Sequence, residues 1–389
     1  MKLKLKNTPE QVELIKAMGS RNGTESREAL EAFAAFVGPV IQKVLNESSL
    51  SAALYTDMAY DEDDSPSIPL DLYYNEDAGL ISVWSQNVAG GMPTSTVDVP
   101  VQEMKFSTYR LDSAVSFHKR YARKSRLDVV SKAIERMTQE VLIKQERNAW
   151  AVVLKAVAES ATKNGRAASV GSTGSLRHIV QGGADGNTAA GFTLADLNKL
   201  VTRMKRVSQS FAGGTAAETR GVTDIYVSPE VKAAIRAFAY NPIFPTSGVV
   251  QSSVPNSVRE DIYRGAGTEE IYGITIHELL ELGLSQRYNT LFASVWNNTA
   301  AASGDTDGFY GTFTTGGDEL IVAVDATRDA FVRPVARQAE SGGQFVVLPD
   351  DQFYAARQDK TGFYGFVEEG RVCLDARAVG GIILGTEGS

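Results

Sequence analysis

The longest unbroken helical period in the chain runs from about residue 126 to 158. Leu127, Val130, Ile134, Met137 and Val141 recur at steps of three and four, and Ala149, Val153 and Val157 continue the stripe. Ser125 and Asp128 form an S-x-x-D capping pattern at its start, and no proline or glycine interrupts it. At about 1.5 Å per residue this predicts a helix roughly 50 Å long, far above the usual three turns. Lys132, Glu135, Glu140, Lys144, Glu146 and Arg147 fill the opposite face, so one-sided packing on a sheet is expected.

Two shorter helical stretches precede it. Thr8 can cap a first helix with Pro9 at its first position. A second is predicted from about Ser26 to Leu45, with Leu30, Phe33, Phe36 and Val37 on one face and a kink at Gly38-Pro39. Between residues 68 and 110 the period changes to two. Ile81 and Val83 alternate with Ser82; Val97, Val99 and Val101 alternate with Asp98 and Pro100. Ala89-Gly90-Gly91-Met92-Pro93 supplies a turn, and Met104 and Phe106 resume out of step, which a bulge near Gln102-Glu103 would repair. The pattern predicts one long hairpin with a reach of roughly 30 Å. A two-stranded hairpin is marginal alone and Pro100 suits an edge, so something must cover it, either its own domain or another chain.

Beyond the long helix, residues 161–191 read as loop. A capping box, Thr193 to Asp196, opens a helix to about Ser210. Asp224 to Val227 is a short buried strand, and Ser228-Pro229-Glu230 starts a helix to Tyr240. Residues 241–268 read as irregular. Ile271 to Ile276 reads as one strand, 284–317 as a long Gly/Ala/Thr/Asn loop, and Leu320 to Val324 as a strand. Short strands follow at 344–348, 363–368 and 371–375, and the chain closes with Gly381-Ile382-Ile383-Leu384. The fold class is mixed α+β, without internal repeats.

The 389 residues are 43% hydrophobic with a net charge of −8, which suits a globular protein of two or three domains and argues against an isolated sequence-specific DNA-binding module. The lone Cys373 excludes an internal disulfide and, in an apolar strand, reads as core. No apolar run approaches membrane-spanning length, and the basic start Met1 to Lys6 meets polar residues where a secretory signal would be apolar. The chain is expected to be made in the cytoplasm.

The search for chemistry returns little. Lys360-Thr361 ends like a phosphate loop, but Asp359 stands where glycine is required. His277-Glu278-Leu279-Leu280-Glu281 resembles a zinc-protease helix with Glu281 in place of the second histidine, and solvated residues at a strand exit explain it better. The acidic runs Asp61-Glu62-Asp63-Asp64 and Asp305-Thr306-Asp307-Gly308 lack the spacing of a calcium loop. His118, His178 and His277 form no recognisable triad with Ser, Cys or Asp by spacing. No catalytic, cofactor or metal residues are assigned.

One charge cluster stands out. Lys119, Arg120, Arg123, Lys124 and Arg126 lead into the N-terminus of the long helix, where cations oppose the dipole. Compensating anions are expected from Asp61, Glu62, Asp63 and Asp64 of a neighbouring subunit or from nucleic-acid phosphate; a merely solvated basic turn is the plainer reading.

Helical arm, long hairpin, oversized helix, central domain and terminal strands come in an order that resembles the Hong Kong 97 fold of tailed-phage major capsid proteins and encapsulins. Tyr226-Val227-Ser228-Pro229-Glu230, Ile271-Tyr272-Gly273-Ile274-Thr275-Ile276 and Gly370-Arg371-Val372-Cys373-Leu374 resemble local steps of that fold. The resemblance implies an N-terminal helical arm over 1–67 crossing to neighbours and an extended loop over 68–110. It implies a peripheral domain over 111–194 with a spine helix at 126–160, a mostly axial domain over 195–330, and peripheral C-terminal strands over 331–389. Trp84, Asn87, Gly90, Gly91 and Met92 would then touch an adjacent subunit.

The implied function is a major capsid protein, not an enzyme, forming hexamers and pentamers of an icosahedral head around double-stranded DNA. Its acidic balance would keep an inner wall from sticking to packaged DNA. Implied partners are further copies, a portal, a separate scaffolding protein, decoration or cement proteins, and DNA by non-specific contact, with no membrane and no cofactor. The implied location is the virion, after assembly in the host cytoplasm. Lys105 is the lysine of the loop region and lies at its base, so no crosslinking is expected. The alternatives are an encapsulin-like compartment around a cargo enzyme, or a hydrolase or metal enzyme on an unrelated α+β fold.

Overall fold

In chain order, helices α1 (Pro9–Met18) and α2 (Gly23–Ser48) precede strand β1 (Tyr55–Asp61), the short strands β2 (Ser67–Pro69) and β3 (Glu103–Lys105), and β4 (Tyr109–His118). A short α3 (Lys119–Arg123) leads to α4 (Leu127–Lys163), then β5 (Ile179–Gly182), α5 (Leu194–Val207), β6 (Asp224–Val227) and α6 (Pro229–Tyr240). Strands β7 (Glu270–Ile271) and β8 (Ile274–Glu278), α7 (Arg287–Trp296), β9 (Glu319–Val324) and β10 (Phe331–Arg337) follow. The chain continues through β11 (Val346–Pro349), β12 (Lys360–Glu369), β13 (Val372–Cys373) and β14 (Val379–Leu384). This is a computed structural model that describes residues 8–61, 65–69, 103–124, 127–163, 178–182, 192–207, 221–240, 270–298, 312–337, 345–349 and 358–385. The fold is mixed α+β and divides into two compact units. One comprises Met1–Tyr73, Val97–Ala149 and Phe331–Val372; the other comprises Tyr74–Thr96, Trp150–Ala330 and Cys373–Ser389.

In the first unit β12 is the strand the others attach to. β4 pairs antiparallel along its whole length, from Lys360↔His118 to Glu369↔Tyr109, and β11 pairs from Val346↔Phe366 to Pro349↔Phe363. β10 meets its end at Val335↔Glu369 and carries β1 in parallel register from Tyr55↔Phe331. Alternation sends Phe363, Val367, Val115 and Phe117 to one face. There they meet Ile15 and Met18 of α1, Leu30, Phe33, Val37 and Ile41 of α2, and Val130, Ile134, Met137 and Val141 of α4. The Phe33 and Phe363 rings lie 5.3 Å apart. The helical stripe read from the sequence is therefore the face that α4 buries.

Within the arm that the resemblance places over 1–67, α1 and α2 supply much of their own unit's core. Burying Ile15, Met18, Leu30 and Phe33 at home removes that apolar surface from water without a partner. Helix α2 runs through Pro39, and its cap is Asn22, whose side chain accepts from the Thr24 N–H at 3.3 Å. At the base of the expected loop, β2 and β3 pair antiparallel from Ser67↔Lys105 to Pro69↔Glu103. Residues 109–118 belong to β4 in the main sheet, so the return arm has ended before them.

Where the sheet meets α4, a carboxylate is sealed inside. Glu369 has no exposed surface, yet its oxygens receive Arg333 Nε at 2.8 Å, Gln145 Nε2 at 3.2 Å, Tyr109 Oη at 3.2 Å and Arg371 Nη2 at 3.4 Å. Burial, and then the Glu369 charge, push the Tyr109 phenol up to about 12. The Arg371 guanidinium also lies 4.6 Å from the Tyr55 ring.

The second unit is a sheet in the order β5-β14-β9-β6-β8-β7 with helices on both faces. Ile225, Val227, Ile321, Ala323, Ile382 and Leu384 face Leu197, Leu200 and Met204 of α5. The other face carries Tyr226, whose ring lies 4.7 Å from that of Trp150 on α4, and Trp150 in turn lies 6.1 Å from Tyr288 of α7. Burial on both faces explains the continuous apolar run of β9. Two adjacent glycines of β14 make this possible. A Cβ on Gly380 would meet Met204 Sδ at 2.8 Å, and one on Gly381 would meet Val157 Cγ1 at 3.3 Å.

Several expectations shift here. The stretch read as one strand at 271–276 is a hairpin, β7 and β8, turning at Tyr272-Gly273. The supposed loop 284–317 contains α7, whose Tyr288, Phe292 and Trp296 are buried. The loop 161–191 contains β5, and β10 went unread because Pro334 interrupts its pattern. The box at Thr193 is present: Asp196 N donates to Thr193 Oγ1 at 3.3 Å, and Thr193 Oγ1 donates to Asp196 Oδ2 at 2.5 Å. Beyond Val97 the two units divide the chain at 149/150, 330/331 and 372/373, and β5 and β14 share a sheet with β9.

The buried carboxylate gives a direct test. Glu369→Gln removes the buried anion that faces Arg333 and Arg371, leaving Arg333 only Asp57 Oδ1 at 3.5 Å, and should cost about 3–5 kcal/mol of stability. Urea unfolding measures this, and a loss under about 1 kcal/mol would show that the network carries little of the fold.

Candidate functional site

The basic cluster sits on α3 and is built by the turn that joins β4 to α4. Ala122 is buried and anchors the short helix, leaving its charged residues on the rim. Arg123 is engaged within its own unit: Nε donates to Gly19 O at 2.8 Å and Nη2 lies 3.4 Å from Asp359 Oδ1. Lys119 N donates to Asp359 O at 2.9 Å. Arg120 and Lys124 are exposed. Because Arg120 and Arg123 occupy the last turn of α3, they favour that helix's carbonyl end; their opposition to the α4 dipole is only half of the local field.

The acidic candidates are only partly placed. Asp61 ends β1 and is exposed, while Glu62, Asp63 and Asp64 lie outside the described residues. Among the described residues, Asp61 forms no ion pair with the basic cluster. Trp84, Asn87, Gly90, Gly91, Met92, Arg126 and the Asp305–Gly308 run also lie outside the described residues, as do the side chains of the Ser125/Asp128 cap.

His277 is on a strand, which removes the zinc-protease reading, since that arrangement needs a helix. Its Nε2 lies 2.9 Å from Asp224 Oδ1, and its ring stacks 4.9 Å from Tyr226. Burial works against ionisation of Asp224, yet hydrogen bonds from His277 and Thr223 together hold its carboxyl below the usual range. Glu278 pairs with Lys232 at 3.0 Å. Among the described residues no nucleophile is seen on the other imidazole nitrogen, and the pair links neighbouring strands β6 and β8. Among the described residues no three His, Cys, Asp or Glu side chains gather to hold a metal.

The other candidates for chemistry are withdrawn from solvent, His178 fully and Cys373 in part. His178 is fully buried with Nδ1 2.8 Å from Val379 O, and burial lowers its pKa. Burial, then the Asp375 charge, push the Cys373 thiol up to about 12. No helix among the described residues is long and apolar enough to cross a membrane.

Among the described residues the surface also displays several large apolar side chains. Leu280 is 73% exposed, Phe36 is 56% exposed and Tyr272 is 54% exposed. Phe36 and Val40 stand one helical turn apart on α2, outside the face that enters the core. The sequence placed Phe36 with Leu30 and Phe33; the spacing was compatible with one face, but the buried stripe is narrower. Tyr272 was hidden inside an apparent strand, although an X-Gly pair between two isoleucines is a hairpin signal.

No family model matches this chain, and no curated protein matches it. Solved structures do resemble it. The capsid of cyanophage P-SCSP1u is 15% identical, aligns over 86% of this chain and 87% of its own, and has a TM-score of 0.47. The capsid of an empty GTA particle is 13% identical, over 88% and 90%, with a TM-score of 0.47. The capsid of cyanophage Pam1 is 13% identical, over 85% and 89%, with a TM-score of 0.44. All three are capsids. With TM-scores below 0.5, the functional reading of this chain rests on its own residues.

Two measurements check His178 and Cys373. A histidine pKa lowered by burial means that the unfolded chain binds more protons below about pH 6.5. The stability from neutral His178 should therefore be complete above that pH and fall as the solution is acidified. His178→Asn should flatten that part of a urea-midpoint profile, and an unchanged slope would exclude His178 as its source. At pH 8 the Cys373 thiolate fraction should be about one in ten thousand. Maleimide labelling should accelerate at least about a hundredfold on unfolding, and equal rates would show the thiol to be open.

Proposed function

We propose that this chain is a shell-building subunit, the major capsid protein of a tailed phage, acting by self-assembly rather than catalysis. The observation that carries this is the order of its elements. Two N-terminal helices come first, then strands that pair on either side of residues 70–102, then a helix of 37 residues, then a sheet unit. At about 1.5 Å per residue that helix is roughly 55 Å long. This is the order by which the sequence resembles the Hong Kong 97 fold. Displayed apolar side chains and the scarcity of assembled chemistry among the described residues support the same reading.

On this reading the first unit is largely the peripheral domain and the second largely the axial domain. Copies join as hexamers and pentamers into an icosahedral head around double-stranded DNA, in company with a portal and a separate scaffolding protein. The subunit is a virion component. Since α1 and α2 are satisfied at home, the segment 68–110 is left as the chief element seeking cover on a neighbour, with Trp84, Asn87, Gly90, Gly91 and Met92 at its far end. Exposed Arg120 and Lys124 are placed to meet a neighbour's carboxylates or phosphate. Interfaces of standard size bury about 1,600 Å², which an extended segment laid on an adjacent copy can exceed.

Deleting residues 86–95 should leave a folded subunit, by circular dichroism, that no longer forms closed shells in negative-stain microscopy. A truncated protein that assembled like the parent would refute the role of this segment. A full-length protein that stays monomeric at every concentration would refute the shell reading itself.

A further inference from the structure

Helix α7 is followed by two asparagines, and the first reaches across to the chain that leads into β9. Asn297 Nδ2 donates to Phe313 O at 3.1 Å, and Phe313 N donates to Asn297 Oδ1 at 2.8 Å. One side-chain amide, donor and acceptor at once, thereby supplies the exchange that two facing residues make in an antiparallel strand pair. The Asn297 backbone keeps helical angles, φ −64° and ψ −15°, and its N–H still goes to Ala293 O, so the helix itself aims the amide. Asn298 Nδ2 donates to Ser294 O at 2.7 Å and fills one of the carbonyls that a helix end leaves open.

Further ties hold the returning chain to the same helix. Just before α7, Ser285 N donates to Thr315 O at 2.7 Å. Within α7, Asn289 Nδ2 donates to Asp318 O at 3.0 Å. Asp318 Oδ2 in turn accepts from Thr314 N at 2.6 Å and Thr314 Oγ1 at 2.9 Å, which closes the turn between them. The buried Phe313 ring lies 5.1 Å from that of Phe292. Both the exit from α7 and the entry to β9 are therefore fixed by groups within 285–298 and 313–318.

The sequence between these anchors has a different character. Residues 299–308 read Thr-Ala-Ala-Ala-Ser-Gly-Asp-Thr-Asp-Gly, with no aromatic, Leu, Ile, Val or Met among them. Such a stretch has no large apolar side chain whose burial would offset the entropy of ordering it.

We infer that Asn297 clasps the chain at Phe313 and makes residues 299–308 dispensable to the fold, so that the stretch can be shortened or lengthened while the unit stays folded. This goes beyond the shell reading and does not depend on it.

Three variants test it, with Tm read by circular dichroism. Replacing 299–308 with Gly-Ser should leave Tm no more than about 3 °C below the parent, because loop length enters the closure entropy only logarithmically. Inserting about ten Gly and Ser residues between Gly304 and Asp305 should keep Tm within the same margin. Asn297→Ala strips Phe313 of both partners and should lower Tm by about 4 °C or more. A larger fall in either loop variant would show that the stretch is part of the fold and overturn its dispensability. An unchanged Tm in the Ala variant would overturn the clasp. An Ala variant that does not fold counts with the expected loss, and the two loop variants then decide.

Discussion

The first unit depends on keeping one charge dry. Glu369 is the last residue of the strand to which β4, β10 and β11 all attach, and it has no contact with solvent. An ion in that position is tolerable only if its lone pairs are filled. They are filled by groups from separate parts of the chain: Tyr109 on β4, Gln145 on α4, Arg333 on β10 and Arg371 after β12. A misregistered β4 or a rotated α4 would strand the carboxylate. An apolar core of similar volume would hold these elements together, but it would not say which residue must face which.

The second unit solves a different problem, since both faces of its sheet must accept helices. Gly380 and Gly381 point to opposite faces of β14 and leave room for Met204 on one side and Val157 on the other. Large apolar residues elsewhere on the strand, Ile382, Ile383 and Leu384, supply the burial that the glycines forgo. The Asp224–His277 pair fits the same scheme. It lies across neighbouring strands β6 and β8, beside the stacked ring of Tyr226, and ties them at a margin where apolar packing thins.

The legible parts of the fold were those written in local periodicity. The α4 stripe, the Thr193 box, β6 and the proline-started α6 could be read because each depends on residues a few positions apart. What the chain alone did not disclose depends on partners distant in sequence. β10 contains Pro334, which local rules count against a strand, yet its neighbour β1 comes from residues 55–61. β5 offers only two apolar residues and becomes a strand because β14 is beside it. The turn at Tyr272 was missed because aromatic residues favour strands, and the glycine after it was read as part of one. Of the candidate site, the charge cluster was visible, but its division was not. That Arg123 serves its own fold while Arg120 and Lys124 face outward follows from Gly19 and Asp359, residues far away in sequence.

The arm helices sharpen the argument for assembly. If α1 and α2 had been bare, their need for cover could have been met by any partner, including a second copy in a simple dimer. With their main apolar faces closed, the exposed large apolar groups among the described residues are spread over separate elements: Phe36, Val40, Leu50, Ile143 and Leu348 in one unit, Tyr272, Leu280 and Leu284 in the other. A single two-fold contact uses one self-complementary patch. Several small patches on different elements are instead what a subunit needs when it must touch more than one neighbour at once, each contact being too weak to persist alone and held by the others.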